Sequence, residues 1–99
     1  MSMISEATNI KNRAGALVNE ASGLIARAKP KYKGTGHPLP DASTAIKSAM
    51  EAQHYAGMVL LNDLPRDREL AERCFANAKT NIATAEKALA AAKAALARM

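Results

Sequence analysis

The sequence predicts an all-α fold: a short first helix and an antiparallel helical hairpin with a long last helix, assembled as a homo-oligomer. Three observations carry that expectation. Between Leu64 and Met99 there is no glycine and only one proline, Pro65. Along this stretch Phe75, Ile82, Leu89 and Leu96 recur every seven residues, and Ala71, Ala78, Ala85 and Ala92 keep the same period. That is a large-plus-alanine seam at coiled-coil spacing. The seam has an echo near the start of the chain, where Ile10, Leu17 and Leu24 run beside Ala14, Ala21 and Ala28.

The chain has 99 residues, so one domain is expected over 1–99. Much of its apolar content is alanine and tryptophan is absent. Alanine buries little area at ~25 cal/mol/Å², so a lone copy would be weakly held. This is the reason to expect self-association, with the two seams as assembly surfaces.

The helices are expected at about 5–28, 42–62 and 65–98. Ser5 is the expected N-cap of the first. Gly15 and Gly23 lie off its main seam, either simply tolerated or allowing something to approach the backbone closely. Lys29 to Pro40 follows as a basic loop, with three prolines and two glycines that break a helix. Lys29, Lys31 and Lys33 surround Tyr32 and lead into Gly34-Thr35-Gly36. That arrangement is either a solvated linker or a phosphate contact made by backbone N–H groups and lysines. Asp41 or Ser43 is expected to cap the second helix. Its apolar face reads as Ile46, Met50, Gln53, Gly57, Leu60 and Leu64, widened by Met58, Val59 and Leu61. Asp63 is the expected cap of the last helix, with Pro65 in its first turn.

The net charge is +5 and the pI about 9.7. Most of that charge lies in residues 1–36, and it favours an anionic partner. The N-terminal stretch lacks a basic start followed by an apolar run, so it is not expected to act as a signal peptide. No apolar stretch is long enough to span a membrane. A single cysteine, Cys74, fits a reducing compartment.

Enzyme templates fail, and no catalytic residue, cofactor or metal is expected. No Ser–His–Asp order and no G-x-S-x-G is present. Cys74 with the distant His54 would make a nucleophile and base only in principle; a lone helical cysteine is commonly a small core residue. His37 and His54 have no ligand partners at metal spacing. Asp63, Asp67, Glu69 and Glu72 crowd the start of the last helix, where its dipole favours them.

A polar stripe runs along the last helix: Arg73, Asn77, Thr80, Asn81 and Thr84, flanked by Lys79 and Lys87. Arginine and lysine bind phosphate, and Asn and Thr read ring edges or hydroxyls. Asn and Thr are also poorer helix formers than the usual Glu and Lys. The stripe is therefore either a ligand face or a polar contact with another helix.

Within this stretch Arg73, Ala78, Lys79, Thr80, Asn81, Ile82 and Ala85 read R-x-x-x-x-A-[K/R]-T-x-[I/L]-x-x-[A/G]. The pattern resembles the helical hairpin of small phage sponges that sequester cyclic oligonucleotide signals. These sponges counter CBASS defence, and certain anti-Thoeris sponges share the hairpin. Ile10-Lys11-x-Arg13-x-Gly15 adds a fainter echo in the first helix. Ala83-Thr84 stand where the family often carries an acidic or amide pair.

The resemblance implies a non-enzymatic homo-oligomer, a hexamer in one arrangement, acting in the host bacterial cytoplasm. It implies cyclic di- or trinucleotides as ligands, held between subunits. Arg73, Lys79 and Thr80 would then meet phosphates, joined from the first helix by Lys11 or Arg13, and Tyr32 would stand in for a first-helix tyrosine that stacks on a base. Asn77 and Asn81 complete the expected ligand set. The alternative is a small helical protein-interaction module, or a phage inhibitor of a host defence protein, without nucleotide binding. With only three aromatics, sequence-specific DNA binding is not expected.

Overall fold

The computed structural model describes residues 2–61 and 68–99. Three α-helices account for most of them: α1 Met3–Ala28, α2 Pro40–Leu61 and α3 Arg68–Ala97. A single 3-10 turn, Lys29–Lys31, extends α1. The expected hairpin cap at Asp63 and the role of Pro65 lie outside the described residues. No strand occurs among those described.

The helices run up, down and up. At one end Ala7 of α1 packs with Ala56 and Val59 of α2 and with Cys74 and Ala78 of α3. At the other end Ala28 clusters with Leu39, Ala42 and Ala92. The bundle is long and thin, 54 × 22 × 16 Å, with a radius of gyration of 15.5 Å. A compact chain of this size would have a radius of gyration near 13 Å.

Alanine explains the shape. The fully enclosed positions include Ala7, Ala14, Ala21 and Ala28 on α1 and Ala78, Ala85 and Ala92 on α3. The matching run on α2 is Ala42, Ala45, Ala49, Ala52 and Ala56. Such small side chains let helix axes approach toward the short end of the usual ~8–10 Å range. Alanine also has the best helix propensity and loses no rotamer freedom on burial. The large enclosed side chains are few: Leu17, Leu39 and Val59.

Four expectations need correction. The first helix is not short: with 26 residues it is a full member of the bundle and longer than α2, which has 22. Its cap is Ser2, whose hydroxyl accepts the Ser5 N–H at 3.1 Å, so Ser5 lies one turn inside. Neither Asp41 nor Ser43 caps α2; the helix starts at Pro40, and the carbonyl of Leu39 accepts from Ala42 and Ser43. Asp41 sits in the first turn instead, where the dipole favours it.

The fourth correction concerns which faces are buried. On α2 the alanines point inward, at alternating steps of three and four residues ending at Val59. Of the large residues read as its apolar face, Val59 is enclosed, and the others among the described residues lie beside or outside the core. Ile46 and Leu60 are half-buried, Met50 is 57% exposed and Leu61 is 82% exposed. Likewise the alanine seams of α1 and α3 are closed within one chain, so they are core and not assembly surfaces. Cys74 is a buried core residue.

Candidate functional site

An open groove of about 360 Å³ between α1 and α3 includes one of the expected ligand residues, Lys79. Ile10, Phe75 and Ile82 form its apolar walls, and Glu6, Asn9 and Lys79 add its polar groups. The heptad period places Phe75 and Ile82 on the edge of the α3 seam, where they are only partly buried. One turn beyond Phe75, Lys79 folds back so that its ammonium lies 5.0 Å from the ring centroid. This is a cation–π distance, and it fixes the cation at the mouth of an aromatic-walled groove.

Chemically the groove suits a flat ring with a nearby anionic group. The walls would cover the ring, Asn9 offers both a donor and an acceptor, and Lys79 offers a charge. Glu6 opposes an anion at its own position, so it suits a donor edge such as a ring N–H.

The other expected residues do not converge on this groove. At about 100° per residue, Arg73, Asn77, Thr80 and Thr84 lie roughly 100–160° round α3 from Lys79. They form a separate, solvent-facing strip. Part of that strip has a local explanation. The Asn81 amide donates to the Asn77 carbonyl at 2.9 Å, and the Thr84 hydroxyl donates to the Thr80 carbonyl at 3.0 Å. These i to i−4 bonds return the polar groups to their own helix, so Asn81 is not poised toward a ligand through that amide N–H.

Arg13 is committed elsewhere. Its Nε donates to Glu86 across α1 and α3 at 2.7 Å, and it also pairs with Glu20 at 3.6 Å. Glu20 in turn pairs with Lys93 at 3.3 Å. The hydrogen bond to Glu86, helped by the charges of both carboxylates, raises the Arg13 pKa above its ordinary value. Lys11 is exposed and about 160° round α1 from Arg13, so the two do not share a face.

Tyr32 is at the far end. It follows the end of α1, and Ala28 is about 27 Å along the helix from Ile10. Its hydroxyl donates to the Thr35 carbonyl at 2.6 Å, which folds the loop on itself. A β-carbon at Gly34 would meet that hydroxyl at 2.9 Å, so a side chain there would push the end of Tyr32 aside and disturb its bond to Thr35. At the off-seam helix glycines there is no such need: a β-carbon at Gly15 would make an ordinary contact, and one at Gly23 would meet nothing.

Sequence reasoning missed Glu6, Asn9, Ile10, Phe75 and Ile82 as groove residues. The apolar three were assigned to the seam. A usable signal was the spacing of Phe75 and Lys79, which an i, i+4 step stacks on one helix face. No group of metal-binding side chains occurs among the described residues, and no described helix is long and apolar enough to cross a membrane. Protein-family models, curated proteins and solved structures provide no match to this chain.

Proposed function

We propose that the protein is a non-enzymatic binder of cyclic oligonucleotides that acts by sequestration, lowering the free signal in a host bacterial cytoplasm. The observation that carries this reading is the position of Lys79. It belongs to the motif that resembles the phage sponges, and it stands at the mouth of a groove with an aromatic wall. Phe75 and Ile82 would cover a base, Asn9 would meet its edge, and Lys79 would meet a phosphate. Arg73, Asn77 and Thr80 face away from the groove, so on this reading they act on ligand held against a second copy. The surplus of positive charge supports an anionic ligand.

Native mass spectrometry with cyclic di- and trinucleotides tests the proposal. A ligand-shifted mass is expected at micromolar ligand, and an unshifted mass sinks the idea. Lys79→Ala removes a charge-assisted contact of about 1.5–3 kcal/mol. It is expected to weaken binding by roughly 10- to 150-fold while the helical circular dichroism stays unchanged. Equal binding by the variant would move the site away from the groove.

A second reading, a protein-interaction module, is favoured by one specific observation. Met50 and Leu61 stand exposed on the outer side of α2. A chain that binds no cyclic nucleotide but captures a host defence protein through that side would establish it in place of the first.

A further inference from the structure

We propose that the loop end of the bundle is a second binding surface, which holds the phosphate backbone of nucleic acid without reading its sequence. The surface comprises Arg27 in the last turn of α1, Lys29 and Lys31 in the 3-10 turn, Lys33 in the loop, and Arg98 just beyond α3. These five side chains share one end because Ala28, Leu39, Ala42 and Ala92 pack together beneath them. All five are exposed.

Among the described residues only three cations are in ion pairs, so what sets the loop-end group apart is the number gathered at one end. Arg13, Arg68 and Lys93 are each paired with a glutamate. None of the five at the loop end has an ion pair among the described residues. Asp41, in the first turn of α2, is an acid at this same end. Helix dipoles account for Arg27, Lys29 and Arg98 at the C-terminal ends. They do not account for Lys31 and Lys33, which continue the charge outward.

The loop backbone supplies the second observation. The N–H groups of Lys33, Gly34, Thr35 and Gly36 donate to nothing among the described residues. The segment is nevertheless held in shape. Tyr32 is bonded to Thr35, the Leu39 N–H donates to His37 Nδ1 at 3.0 Å, Leu39 is buried, and Gly36 takes φ 93°. Successive free N–H groups beside lysines attract anionic oxygens, and a loop already in shape gives up less entropy on binding.

The charges are spread over two helix ends and a loop instead of converging on one point. That favours a polymer of phosphates over a single anion. A duplex carries one charge per ~1.7 Å of axis, so a bundle end about as wide as the 22 × 16 Å cross-section faces several phosphates at once. This proposal does not rest on the groove, which lies at the opposite half of the bundle.

Fluorescence anisotropy with a labelled 20-base-pair duplex and a 20-nucleotide single strand tests it, on the whole chain between 50 and 200 mM salt. Binding is expected to be equal for unrelated sequences. With five phosphate contacts, affinity is expected to fall roughly 500-fold over that range, a log–log slope near −4.5 on the duplex. Lys29→Glu/Lys31→Glu/Lys33→Glu is expected to lower the magnitude of the slope by about 2.7 and to abolish binding at 150 mM salt. Lys31→Gln/Lys33→Gln, which removes charge without reversing it, should lower it by about 1.8. Circular dichroism confirms that each variant is folded. Lys79→Ala is expected to bind nucleic acid as the parent chain does, whatever it does to a cyclic nucleotide. No binding at 50 mM salt, a flat salt dependence, or full binding by both lysine variants would overturn the proposal. Equal affinity for polyglutamate, or for vesicles containing phosphatidylserine, would overturn its choice of partner.

Discussion

The two sides of α2 differ in a way that runs against residue size. Its inner side is alanine at five of six buried positions, closed by Val59, and is sealed from solvent. Its outer side carries Met50 and Leu61, which bury more area when enclosed but stay exposed. Three long helices pack closely only if the residues between their axes are small. The enclosed side is thus set by how near the backbones can come, and larger apolar residues are displaced to the flanks.

Three variants probe how the bundle is held. Ala49→Leu adds bulk at a site with no exposure, and overpacking typically costs about 1–3 kcal/mol. In a chain of this length that corresponds to roughly 4–24 °C in Tm, measurable by thermal circular dichroism. An unchanged Tm would mean that the seam has slack and that small size is not what it demands. Arg13→Ala removes the link to Glu86 and Glu20, whose side chains are roughly half exposed. Solvent screening limits the loss to about 1 kcal/mol or less, and the deficit should shrink at high salt in a denaturant titration. Met50→Ser/Leu61→Ser changes only the outer side and should shift stability by less than about 0.5 kcal/mol per site. If a second copy covers that side, the parent chain will show a concentration-dependent Tm that the double variant lacks.

The helical class was legible because Pro30, Gly34, Gly36, Pro38 and Pro40 mark the break between α1 and α2, and because the heptad alanines of α1 and α3 are buried at the positions their period predicts. The inner side of α2 was equally present, as Ala42, Ala45, Ala49, Ala52 and Ala56 at three- and four-residue steps. It is hard to see because the larger residues dominate the hydrophobic periodicity and alanine adds little to it. Burial within one chain removes the argument that exposed seams require assembly. At the candidate site, Lys79 was identifiable from its motif. Its neighbours on α1 were not, since nothing local in the sequence says which residues of another helix stand opposite. Asn81 and Thr84 looked like ligand residues because they are unusual in a helix, and their bonds to the preceding turn supply a reason that spacing alone does not.

The alanine seam has a consequence for register. A track of near-identical small residues every seven positions looks almost the same after a slide of one heptad, about 10.5 Å. Alanine against alanine therefore does little to choose among alignments. The choice falls to the few features that do not repeat: the enclosed Leu39 and Val59, and the Arg13–Glu86 link between α1 and α3. These act as detents on an otherwise smooth rail, keeping the helices from settling one heptad out of step.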